Sequence, residues 1–134
     1  MGRLGIWGAG FALVLLLGAS PLRAEDGFFP SLPDLPLLDG FAEDQTETLV
    51  FDKPAGRIAI AVAKGRGDAG RTRALYTETL IQIGWQPVKD GAAGSFVREG
   101  ELLTLSVARD FEPGMIRVEI SLAPLAQPAA GGPR

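Results

Sequence analysis

Residues 65–85 read GRGDAGRTRALYTETLIQIGW, and this stretch decides the fold because it is the one convincing amphipathic helix downstream of the N-terminal apolar run. Asp68 is a residue type whose carboxylate caps the free amides at a helix start. No proline interrupts the chain before Gly84, and that glycine suits a left-handed C-terminal cap. Tyr76, Leu80 and Ile83 fall at i, i+4 and i+7 with Thr72 and Thr79 beside them, whereas Arg71, Arg73, Glu78 and Gln82 lie largely off that stripe. Such a helix needs an apolar surface to lie on.

The flanking segments supply it as strands. Leu49 and Phe51 point the same way in a period-two stretch that ends at the turn Lys53-Pro54-Ala55-Gly56. Residues 57–63 put Ile58, Ile60 and Val62 on one face and Ala59, Ala61 and Ala63 on the other, as expected of a central strand. After the helix, residues 85–88 form a short strand whose Pro87 marks an edge or a bulge. Residues 95–98 and 101–108 pair across Glu99-Gly100, and Glu112-Pro113-Gly114 turns the chain into residues 115–123, with Ile116, Val118, Ile120 and Leu122 inward. The expected fold is α+β: an antiparallel sheet of about five or six strands with one helix packed across a face, in the order ββ-α-ββββ.

A chain of 134 residues, 46% hydrophobic and 22% charged, holds one globular core. It has no Cys and no His, which removes thiolate nucleophiles, imidazole bases, the usual zinc ligands and lipid attachment through cysteine. No metal and no cofactor is expected, and the chain reads as a non-enzyme. Residues 1–24 carry Arg3, an apolar run and a small residue, Ala24, before Glu25-Asp26, the pattern of a signal peptide cut after Ala24. The alternative is an uncleaved inner-membrane anchor, since the apolar run is near the lower length limit for a spanning helix. Residues 25–46 form an acidic Pro/Leu-rich extended arm, residues 47–123 the α+β domain, and residues 124–134 a disordered tail rich in Pro, Ala and Gly.

Charge is segregated along the chain. Residues 25–52 contain eight acids and neither Lys nor Arg, and all the basic residues other than Arg3 and Arg23 follow. Within the acidic stretch Pro30, Pro33 and Pro36 recur every third residue, the period of polyproline II, and Leu32, Leu35 and Leu38 share it. That arm reads as a stiff spacer or as a strap over its own core; the sharper reading makes Leu32, Leu35 and Leu38 a docking edge for a partner. A second candidate is the basic loop before the helix. Lys64, Arg66, Arg71 and Arg73 surround flexible glycines at a helix N-terminus, where a phosphate, a sulfate or an acidic peptide could be held, although four solvated cations are the plainer reading.

Residues 65–70 also spell GxGxxG, with Asp90 twenty residues after Gly70. A dinucleotide fold needs a second parallel strand buried on both faces, and residues 85–90 are short and interrupted by proline, so the motif is set aside. Trp85 and Tyr76 are read as core rather than base-stacking platforms, and a net negative chain argues against nucleic acid.

Three motifs carry a resemblance: Phe51-Asp-Lys-Pro-Ala-Gly-Arg-Ile58, Tyr76-Thr-Glu-Thr-Leu80 continuing to Gly84-Trp85, and Phe96-Val-Arg-Glu-Gly-Glu-Leu102. Over residues 51–124 the chain resembles a family of small exported alphaproteobacterial proteins. More distantly it is similar to helix-on-sheet modules of envelope lipoproteins, without their lipid-accepting Cys. The resemblance implies an envelope location and a fold, and no activity. The function expected is a periplasmic or secreted interaction module that binds another envelope component through its acidic arm, an exposed sheet edge or the basic loop. A small-ligand carrier with a cavity between helix and sheet is the alternative, and an enzyme of unknown type comes third. The sequence leaves the oligomeric state open.

Overall fold

The computed structural model describes residues 27–125 together with Gly2. The expected signal segment, Gly2 apart, and the tail after Leu125 lie outside the described residues. The fold is α+β, one helix on an antiparallel sheet. In chain order the elements are β1 (Phe28–Phe29), β2 (Leu32–Pro36), β3 (Phe41–Glu43), β4 (Leu49–Lys53), β5 (Gly56–Arg66), α1 (Ala69–Gln82), β6 (Gln86–Pro87), β7 (Ser95–Arg98), β8 (Glu101–Arg109) and β9 (Met115–Pro124). β1 and β2 form a separate two-stranded hairpin; the seven other strands form one sheet in the order β3-β5-β9-β8-β7-β6, with β4 also paired to β5.

β3 and β4 both run antiparallel to β5: Phe41–Glu43 pair with Gly65 to Ala63, and Leu49–Lys53 with Ile60 to Gly56. β9 pairs with β5 through Ala59↔Leu122 and onward to Arg66↔Met115. The two strands therefore lie end to end along the edge of β5 away from β9. Residues 44–48 interrupt them. There Asp44 accepts from Thr46 N–H and Oγ, its N–H donates to the Val62 carbonyl, and Val62 N–H donates to Thr48 Oγ, so the break leaves these peptide groups bonded.

The helix ends follow from local chemistry. Asp68 accepts from Arg71 N–H at 2.8 Å, closing the N-terminus. At the other end Trp85 N–H donates to the Leu80 carbonyl and Gly84 N–H to that of Ile81, with Gly84 at φ 100, the left-handed cap expected of that glycine. Glu99 and Gly100 both take positive φ, 48 and 78, giving the primed two-residue turn that matches the twist of the β7–β8 hairpin.

Register assigns the core. Ala59, Ala61 and Ala63 of β5 share a face with Leu122, Ile120 and Val118 of β9, and these with Leu103, Leu105 and Val107 of β8. That face is the covered one. Thr72, Tyr76 and Leu80 of α1 are buried, as are Trp85 and Phe96, and all but Thr72 belong to one apolar cluster with the three strands. Phe29, Leu32 and Leu35, each no more than 2% exposed, belong to it too. Of the two plain readings of the arm, stiff spacer and strap, the structure has the strap: residues 28–43 carry β1, β2 and β3 and lie on the core. Asp34 fixes the strap with a bidentate pair to Arg57 (2.9 and 2.6 Å) and a contact to Arg98 at 3.3 Å, and Arg57 also bonds Glu101. The strap wins over a free arm because it buries three large side chains that solvent would otherwise wet.

Candidate functional site

Three surfaces were open to a partner on the sequence, and the structure separates them. The arm is the first. Leu32 and Leu35 lie in the core and Leu38 is half-buried against it, so the leucine edge is turned onto its own domain instead of outward.

The basic loop is the second, and its four cations do not form one cluster. Lys64 Nζ lies 3.0 Å from Glu47, 3.1 Å from Asp44 and 3.9 Å from Asp110, and the hydrogen bond to Glu47 raises its pKa. Arg73 donates to the Val107 carbonyl at 2.7 Å. Arg66 and Arg71 line a surface pocket of about 380 Å³ with Leu38, Phe41, Leu75 and two carboxylates, Asp39 and Asp68. Gly65, first of the GxGxxG glycines, sits under Phe41: a Cβ there would come within 2.8 Å of that ring and 2.7 Å of the Gly40 carbonyl. Close approach of β3 explains this glycine, and every strand pair of the sheet is antiparallel, so no dinucleotide crevice exists among the described strands.

The sheet edge is the third. On the outer face, away from α1, residues 44–48 reach over one half: Glu47 bonds Lys64 and Arg117, and Val62 is fully buried. The other half is open. Leu49 stands opposite Ile60 and Phe51 opposite Ile58 on that face. Leu49 is 51% exposed, Phe51 55% and Ile60 37%, and Val50, which points to the inner side of the same strand, is 40% exposed. All five residues of β4 are exposed, and no described strand pairs with its second edge. A depression of about 670 Å³ lined by Pro54, Ala55, Ile58, Gly100, Ala123, Pro124 and Leu125 continues this apolar ground past the β4–β5 turn.

The other edges are short or guarded: β3 is three residues long, and its Phe41 N–H donates to the Leu38 carbonyl. β6 is two residues long and contains Pro87, which has no N–H to offer. β8 runs beyond the end of β7, and there Arg73 occupies the Val107 carbonyl. Short strands, prolines and covering side chains are the usual devices against unwanted strand pairing, and β4 carries only Asp52 and Lys53 at one end. Sequence reasoning placed Leu49 and Phe51 on one face, as the register has them, but did not say which side of the sheet that face is on. The missed signal is the run Leu49-Val50-Phe51, apolar on both faces of a strand.

Comparison with protein-family models, with curated proteins and with solved structures finds no match to this chain.

Proposed function

We propose that this chain is an exported, non-enzymatic interaction module of the cell envelope that engages a partner by strand addition along β4 and the adjoining outer face. The exposure of Leu49, Val50 and Phe51 on an otherwise guarded sheet carries the reading. Strand addition uses main-chain hydrogen bonds for affinity and alternate side chains for specificity, and β4 offers both. The resemblance to small exported proteins and the signal-like residues 1–24 support the envelope location. Carboxylates at Asp34, Asp44, Glu47 and Glu101 are taken up in ion pairs with Arg57, Arg98, Lys64 and Arg117, an arrangement suited to holding layers together.

The test is a photoreactive aromatic amino acid at Phe51, expressed in the native bacterium and irradiated in intact cells. A discrete adduct at Phe51, absent when the same group replaces Leu75 on α1, is the expected result. Equal or no labelling at the two positions would overturn the reading. The anion-binding reading of the basic loop has the pocket beside Arg66 and Arg71 in its favour, and a sulfate-dependent thermal shift lost in Arg71→Ala would move the function there.

A further inference from the structure

We propose that the strand added to β4 is β4 of a second copy of this chain, paired antiparallel about a two-fold axis at Val50. This rests on the strand-addition reading and names its occupant. Peptide-group parity limits the registers. The Val62 N–H and carbonyl bond Thr48 and Asp44, so even-numbered residues of β5 turn their peptide groups toward the β3/β4 side. Alternation along an antiparallel ladder then makes Gly56, Ile58 and Ile60 the bonded partners of Lys53, Phe51 and Leu49. The peptide groups of Val50 and Asp52 are left pointing out of the sheet.

Two such edges can bond only where outward residues oppose outward residues, which leaves few choices within a five-residue strand. With Val50 opposite the partner's Val50, Leu49 meets the partner's Phe51 on the outer face, twice by symmetry. Those are non-hydrogen-bonded pairs, where side chains approach most closely. Asp52 then opposes the partner's Thr48, with no like charges in register. Centring the pair on Phe51 would set Leu49 against the partner's Lys53, and centring it on Asp52 would set two carboxylates face to face. Apolar match and charge therefore select Val50. A foreign strand would have to reproduce this complementarity, which β4 already has with itself. The axis is perpendicular to the sheet, so both outer faces end on the same side and the patches of Leu49, Phe51, Ile58 and Ile60 merge into one.

The chain has no cysteine, so Val50→Cys introduces a single thiol. Hydrogen-bonded cross-strand Cα atoms lie about 5.5 Å apart, within the roughly 4.4–6.8 Å span of a disulfide. Under mild oxidation Val50→Cys should form a covalent dimer about tenfold or more faster than Leu75→Cys, because pairing raises the effective thiol concentration. Sedimentation equilibrium of the unmodified chain should show reversible dimers below ~1 mM. Phe51→Lys should abolish them, and adding Leu49→Glu should restore them, since the register sets the new carboxylate against the partner's new ammonium. A chain that stays monomeric to ~1 mM, with Val50→Cys oxidising no faster than Leu75→Cys, overturns the proposal. Photo-adducts at Phe51 with a different protein would then leave the strand-addition reading standing without self-pairing.

Discussion

Tyr76 is the chain's one tyrosine, and it is fully buried with Leu38 N–H donating to its Oη at 3.4 Å. Burial pushes the phenol up to about 12 from an ordinary value of about 10. A raised pKa means that the neutral ring supports the fold fully below about pH 10, and that this support is lost as pH climbs toward the folded value. Tyrosinate absorbance reads this side chain alone. Its midpoint in the native chain should lie well above that in concentrated urea, with secondary structure lost over the same alkaline window; a native midpoint near 10 would place the ring in water. The stripe of Thr72, Tyr76 and Leu80 was legible because 3.6-residue spacing is a local property. The commitments of Lys64 and Arg73 were not, because their partners Glu47, Asp44, Asp110 and Val107 reach them only through the topology of the sheet.

Between elements, the strap shows how a correct local period can point to the wrong surface. Pro30, Pro33 and Pro36 do space three apolar residues on one stripe, yet Leu37 N–H bonds the Gly27 carbonyl and the segment closes as a hairpin on the core. A sequence signal for this existed in the charge. The acidic stretch before Asp52 and the basic one after it are complementary layers, with Asp34 on Arg57 and Arg98, and Asp44 and Glu47 on Lys64 and Arg117. Turns and caps at Asp68, Gly84 and Glu99-Gly100 were readable because each is fixed by a few adjacent residues. Leu35→Ala should therefore cost about 2 to 5 kcal/mol in urea unfolding, as other buried leucine truncations do. Deleting residues 25–44 should abolish the cooperative melting transition, since it removes β1, β2 and β3 together. Melting that survives the deletion unchanged would return the segment to a free arm.

For the molecule as a whole, fold class was legible, but the side of the sheet that is covered was not. Alanines at 59, 61 and 63 and isoleucines at 58 and 60 alternate equally well either way. Helix and strap take the alanine face, where methyl side chains permit close approach, and the larger isoleucines are left on the outer face. The layers are then joined by carboxylates held ionised. The hydrogen bond from Arg57 keeps Asp34 below the usual carboxylate range, and bonds from Thr46 and then Lys64 bring Asp44 down to about 2. Depressed carboxylates stabilise the fold above their unfolded value of about 3.9, and that contribution is lost as pH falls through the folded value. With no histidine to titrate nearer neutrality, the melting temperature should stay level from about pH 8 to 5. It should then fall steeply below about pH 4 as the strap loses its grip on Arg57 and Arg98. Asp34→Asn should lower the melting temperature at pH 7 and flatten the acid branch, because one depressed carboxylate has been removed from the linkage. An acid branch of unchanged steepness in that variant would show that the strap is held by its apolar side chains alone.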